Sequence, residues 1–168
     1  MTFQQKFYKL KIETNGQGFT DITTKLKEWI KEIELIRGVI YLTLLHTSCS
    51  LIVNENADPK VLEDLTKYMN ALVPEEQFQS YSPIEGQKFH RYKHFQEGPD
   101  DMPAHIKTSL TSTSLTLSVN EAKLILGTWQ AVYLWEHRFA RNSRTIHLHA
   151  MGTINKNDSC LNNISDCI

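Results

Sequence analysis

The chain has 168 residues, 40% of them apolar and 22% charged, with 18 Lys and Arg against 19 Asp and Glu for a net charge of −1. This length and balance describe one globular domain that buries a core without disulfides or a structural metal. They exclude a disordered chain and, with only 7 Gly and 5 Pro, a collagen-like fibre.

The charge balance lacks the basic excess of a protein that wraps nucleic acid, so no nucleic-acid partner is expected. No apolar run approaches the roughly 20 residues that span a bilayer. The segment from Met1 to Lys6 lacks the apolar stretch of a secretion signal. The expectation is a cytoplasmic protein with no membrane partner. The three cysteines, Cys49, Cys160 and Cys167, are too few and too widely spaced for a disulfide scaffold and read as reduced thiols.

In chain order, Phe3 to Thr14 reads as a strand, because Phe7, Lys9 and Lys11 alternate with Tyr8, Leu10 and Ile12. Asn15 to Gly18 is a turn. Ile22, Leu26, Trp29, Ile30, Ile33 and Ile36 recur at helical steps. Thr20 or Asp21 caps that helix, and Gly38 sits past its end. Val39 to Leu45 and Ser50 to Val53 are strands. Asp58-Pro59 opens a second helix whose apolar face is Val61, Leu62, Leu65, Tyr68, Met69 and Leu72.

Pro74 to Met102 reads as one long polar loop, a length that is often functional. Pro103 to Leu110 is a short helix. Ser114 to Val119, Lys123 to Leu126, Thr128 to Arg138 and Thr145 to Ala150 are strands, and Gly127 marks a bulge or bend. The expected fold is α+β: a single compact domain of residues 1–152, with mostly antiparallel sheet packed by two main helices. Residues 153–168, rich in Asn and Ser, form a tail.

Three clusters carry candidate chemistry among seven histidines. In His46-Thr47-Ser48-Cys49-Ser50, the Ser48 and Ser50 hydroxyls can hold an anion, or simply satisfy a local turn. His94 and His105 flank Glu97, Asp100 and Asp101 in the polar loop. Nitrogen and oxygen donors at two stations of one loop suit zinc or another divalent metal; the alternative is a solvated loop. In Trp135-Glu136-His137-Arg138 and the following stretch, Arg138, Arg141 and Arg144 have the forked geometry that matches phosphate, or they are ordinary ion-paired strand ends. No Gly-rich phosphate loop, G-x-S-x-G elbow, H-E-x-x-H or paired C-x-x-C is present.

Three segments resemble a known family, the YjbQ-like proteins, over about residues 5 to 152. His46-Thr47-Ser48-Cys49-Ser50-Leu51-Ile52-Val53-Asn54-Glu55-Asn56-Ala57-Asp58-Pro59 looks like one family segment. Leu126-Gly127-Thr128-Trp129-Gln130 with Glu136 looks like another. His94, Glu97-Gly98 and Asp100-Asp101-Met102-Pro103-Ala104-His105-Ile106-Lys107 is similar to the central loop. The chain departs from the pattern at Asp101, where the family more often has Asn, and at Cys49, where a small residue is usual.

The resemblance implies a homotrimer with a metal pocket near a subunit boundary. It makes His46, His94 and His105 the metal ligands and Asp100 the first choice of catalytic carboxylate, with Glu136 and Gln130 lining the same region. It also implies a secondary thiamine-phosphate synthase activity, which joins a pyrimidine diphosphate to a thiazole phosphate. A divalent metal then stabilises the leaving diphosphate while Lys107, Arg138 or Arg141 hold phosphate oxygens. Three histidines suit zinc better than magnesium, which stands as the lesser alternative. The reading is thus a metal-dependent enzyme acting on a small phosphorylated substrate. The alternative is a non-catalytic trimer that binds a metal or an anion.

Overall fold

The computed structural model describes residues 1–155. β1 (Thr2–Thr14) is the first strand, with Leu10 and Ile12 turned into the core. β2 (Gly18–Asp21) then leads into α1 (Thr23–Glu32). The Asp21 carboxylate accepts the Thr23 N–H at 2.7 Å at the start of this helix, and Leu26, Trp29 and Ile30 are buried along it.

The helix stops well short of Ile36. Glu34 turns the chain with φ of 54°, and β3 (Leu35–Leu44) follows at once. Ile36 and Gly38 therefore belong to a strand. Leu35, Ile40, Leu42 and Leu44 are all buried in it, and this pairing outweighs the helical spacing that continues through Ile33 and Ile36.

β4 (Cys49–Glu55) precedes α2 (Pro59–Leu72). Here Asp58 accepts the Lys60 N–H at 2.9 Å, with Pro59 at the first helical position, as the sequence predicts. The apolar face of α2 does not enter the core: the helix contributes no buried residue, and Tyr68 and Leu72 are exposed.

The expected long loop contains an antiparallel hairpin, β5 (Gln77–Ser82) and β6 (Gly86–Arg91), with Phe78 opposite His90. Its strands are polar and largely exposed, so they lack the buried face that makes a strand readable. A third helix, α3 (Asp101–Leu110), starts two residues before the expected Pro103. β7 (Ser114–Asn120), β8 (Lys123–Leu124), β9 (Gln130–Glu136) and β10 (Asn142–Ile154) complete the described chain. Thr153 and Ile154, assigned above to the tail, are the last residues of β10, and Ile154 is buried. The rest of that tail, 156–168, with Cys160 and Cys167, lies outside the described residues.

Two sheets and the hairpin result. The larger has the order β1-β10-β3-β7-β8, the smaller β2-β9-β4, and every pairing is antiparallel. The core joins Leu10, Ile40, Leu42, Ile146 and Leu148 of the larger sheet to Leu26 and Ile30 of α1 and to Leu51, Val132 and Leu134 of the smaller. This is the α+β fold expected, with the short third helix beside the two main ones. No helix among the described residues is long and apolar enough to cross a membrane.

β3 and β10 meet at a glycine pair, Gly38 opposite Gly152. A Cβ on Gly152 would overlap the Arg37 carbonyl oxygen, and one on Gly38 would overlap that of Met151. Backbone cannot yield as a flexible side chain does. Gly152→Ala should therefore lower stability by about 1–3 kcal/mol, read as a shift of the urea midpoint; an unshifted midpoint would contradict this account of the pairing.

Candidate functional site

The site is built around the first turn of α3. Before it, Gly98 takes φ of 115° and accepts the Asp101 N–H at 3.3 Å. A Cβ there would come within 3.1 Å of the Asp100 carboxylate, so the turn and its acidic neighbour both require glycine. The Asp100 carboxylate accepts from Arg138 Nε at 3.1 Å and from the Phe139 N–H at 2.8 Å. Arg138, two residues beyond β9, also pairs with Asp101 Oδ1 and donates to the Glu97 carbonyl at 2.7 Å. Burial alone would raise the Asp100 pKa, but the Phe139 N–H and Arg138 outweigh it and hold the carboxyl below its ordinary range.

Asp101 is 2% exposed. His105 lies one helical turn further on, and His94 reaches in from the preceding loop. One donor atom from each residue falls within 4.8 Å of the other two. Asp101 Oδ2 is buried with no hydrogen-bond partner, although His94 Nε2 stands 2.7 Å away. The two atoms face each other without hydrogen-bond alignment. His105 Nδ1 lies 2.9 Å from the Thr47 carbonyl, which can only accept. Nδ1 therefore carries the proton, and Nε2, 3.6 Å from Asp101 Oδ1, presents its lone pair. Fixing an imidazole through its other nitrogen is how ligating histidines are oriented. Two nitrogens and a carboxylate fit a divalent transition metal.

Asp101, not His46, completes this donor group. The Nε2 of His46 accepts the Thr145 N–H at 2.8 Å, so in the neutral ring Nδ1 bears the proton and no lone pair remains for a metal. Burial, reinforced by Arg144, lowers the His46 pKa and keeps the ring neutral. The residue pattern puts Asp101 among the oxygen donors of the loop, whereas the resemblance treats it as a departure and gives His46 as the third ligand. The signal for it was present: Asp101 and His105 are four apart, which shares one face once the helix is known to start at Asp101.

The other expected residues scatter. Glu136 is fully buried, and both its oxygens are taken: Arg144 donates twice at 2.7 and 2.6 Å, Thr14 Oγ1 at 2.9 Å and the Arg138 N–H at 3.0 Å. It is a structural anchor. Burial opposes the Arg144 charge, yet the Glu136 carboxylate raises its pKa overall. Gln130 sits at the opposite end of β9, roughly 20 Å away at 3.3 Å per residue, where its Oε1 accepts the Gly127 N–H at 2.8 Å. Arg141 is exposed and bonds Asn15. The three arginines thus form no common phosphate fork.

Ser48 is buried beside β4, and Ser50 Oγ lies 2.9 Å from His137 Nε2. Lys107 is 3% exposed and donates to Asn70 at 2.6 Å. Burial lowers its pKa against the pull of Glu75 and Asp100. The Cys49 thiol, buried in β4, is pushed up to about 12 by that burial and stays protonated. His137, missed as a candidate, is 1% exposed. Burial, then Lys107 and Arg144, lowers its pKa to about 3.

Beside the donor group lies a cleft of ≈790 Å³ lined by His46, Thr47, His105, Thr108, Ser109 and Thr111 among others. His105 is shared between cleft and donor group. The wall is dense in hydroxyls, which suits a polar ligand.

Two stability predictions follow from these burials. Glu136→Gln should destabilise the fold by about 3 kcal/mol, because Arg144 is left buried without its counter-charge; chemical denaturation reads this directly. His137 is neutral when folded down to about pH 3 but titrates near 6.5 when unfolded. Between these values the unfolded chain binds more protons, so stability falls as pH falls, by up to about 1.4 kcal/mol per unit. Urea midpoints of the wild type and His137→Gln from pH 7 to 4 should show a shallower slope in the variant.

Comparison with known proteins agrees with this fold. The family profile described as "UPF0047 protein YjbQ-like" matches residues 8–153. UPF0047 protein sll1880 of Synechocystis sp. is 39% identical over 153 residues, 91% of this chain and 96% of that protein. UPF0047 protein YjbQ of Escherichia coli O157:H7 is 36% identical over 82% of this chain and 91% of its own length. A crystal structure of a yjbq/upf0047-family protein from Clostridium acetobutylicum superposes with a TM-score of 0.68 at 30% identity, over 86% of this chain and 98% of that one. A YbjQ-like protein from Sulfolobus solfataricus shares the fold at a TM-score of 0.72 and 20% identity, over 89% of this chain and all of that one. The chain belongs to the YjbQ-like UPF0047 family.

Proposed function

We propose that the chain is a metal-dependent enzyme whose divalent ion, zinc by its donor chemistry, is held by His94, Asp101 and His105, and whose substrate is a small phosphorylated metabolite. The observation that carries this reading is the convergence of three donor atoms within 4.8 Å around a buried carboxylate oxygen that has no hydrogen-bond partner. A bound ion supplies a Lewis acid beside the cleft. The Thr47 carbonyl orients His105, and Arg138 fixes Asp101 from its other oxygen. In the cleft, His46 offers an N–H donor from a neutral ring to a phosphate oxygen, whereas the Thr108, Ser109 and Thr111 hydroxyls already donate to the Ala104, His105 and Lys107 carbonyls.

Thiamine-phosphate synthesis is the reaction to assay first. There the thiazole nitrogen bonds the pyrimidine methylene carbon as its bond to diphosphate oxygen breaks, releasing pyrophosphate. Trimeric assembly belongs to the same reading; exposed Leu72, Phe78 and Leu110 around an apolar cavity of ≈340 Å³ give it a surface.

One observation favours a second reading, a non-catalytic metal-binding protein. Asp100 and Glu136, the expected catalytic carboxylates, are both consumed by arginines. Elemental analysis of untagged protein should find near-stoichiometric metal in the wild type and none in His94→Ala/His105→Ala, with Asp101→Asn much reduced. Turnover that persists in the double variant would sink the enzymatic reading, and metal without turnover on any phosphorylated substrate would select the second.

A further inference from the structure

On the face of α3 turned away from the metal donors, two buried nitrogen groups lack the partners that burial demands. Lys107 follows His105 by two residues, which at 100° per residue puts it nearly opposite around the helix. Its ammonium carries three N–H donors. It makes one hydrogen bond, to Asn70 Oδ1 at 2.6 Å. The carboxylates that act on it, Glu75 and Asp100, do so from beyond hydrogen-bond contact, and Asp100 is already taken by Arg138.

The second group is His137. Its Nε2 meets Ser50 Oγ, while its Nδ1 is buried without a partner. When the Ser50 hydroxyl donates to Nε2, Nδ1 carries the proton and becomes an unmatched donor. A chain of hydrogen bonds links the two groups: Asn70, which accepts from Lys107, exchanges bonds with Gln17, which in turn donates to the His137 carbonyl. Buried polar atoms without partners are few in folded proteins, and each one asks for an explanation.

The cover over this region is light. Half-buried Gln17 and exposed Asn70 exchange two amide hydrogen bonds at 3.1 and 2.9 Å. Gln17 also reaches the His137 carbonyl at 3.4 Å. Asn70 rides on α2, a helix that buries no residue. Parting two neutral, solvated amides would open a path to the ammonium, and their NH2 groups would line it.

We propose that Lys107 and His137 form the floor of a separate anion site, which takes a phosphate-type oxyanion entering past the Gln17–Asn70 pair. A tetrahedral oxyanion matches the demand: several acceptor oxygens for an ammonium with two unused donors, and negative charge for a buried cation. The site shares a helix with the metal donors but not a face, so the two occupancies are separable.

Calorimetric titration of the full chain with inorganic phosphate tests this. The wild type should bind one phosphate per chain. Lys107→Met should bind roughly tenfold more weakly or not at all, while Lys107→Arg keeps most of the binding. Lys107→Met should also melt no lower than the wild type in the absence of phosphate, since it removes an unmatched buried charge, and phosphate should no longer raise its Tm. His94→Ala/His105→Ala should bind phosphate as the wild type does, although it loses metal. No phosphate binding by the wild type at millimolar concentration overturns the proposal. So does wild-type affinity in Lys107→Met, or binding lost only with the metal ligands.

Discussion

A buried carboxylate at the end of β9 joins the two sheets of this protein. Glu136 belongs to the smaller sheet, whereas Arg144 and Thr14, which satisfy it, belong to β10 and β1 of the larger. A charge taken out of water must be met by donors, or it costs more than the fold can supply. The strand ends are therefore tied together at one point. The same carboxylate accepts the Arg138 N–H and so fixes where the chain leaves β9. From there the Arg138 guanidinium reaches back to Asp100, Asp101 and the Glu97 carbonyl. The position of the first turn of α3, and with it Asp101 and His105, depends on this relay.

The relay also explains how three acidic groups share one small region. Asp100 and Glu136 are each matched by an arginine, and their charges are spent inside the protein. Asp101 is matched on one oxygen only. Its other oxygen is turned toward His94 and remains without a hydrogen bond. Both aspartates sit at a helix N-terminus, where the aligned peptide dipoles favour negative charge.

Local signals in the sequence were read well where they were decided locally. The alternation in β1, the Asp58-Pro59 start of α2 and the approach of His94 and His105 along one segment each follow from near neighbours. The failures occur where a distant segment decides. The helical spacing through Ile33 and Ile36 is real, but β10 claims Leu35–Leu44 as a paired strand. The hairpin of Gln77–Ser82 and Gly86–Arg91 has too little buried surface to leave a period in the sequence. The resemblance sets Glu136 beside the catalytic region. Only the fold reveals that four donors occupy the Glu136 carboxylate. Asp101 stands among the oxygen donors of its loop by residue pattern, but only the start of α3 sets it on one helical face with His105.

α3 divides the chemistry of the protein by charge. Around one side it presents Asp101 and His105 with His94, donors that bind a cation. Around the other it presents Lys107, whose ammonium can only be completed by acceptors. Arg138 lies on the boundary and spends its charge on Asp100 and Asp101. Glu75 and Asp100 act on Lys107 only from beyond hydrogen-bond contact, and Asp100 is already held by Arg138. The clamp that shapes the cation site therefore also takes up one of the carboxylates that act on the buried ammonium.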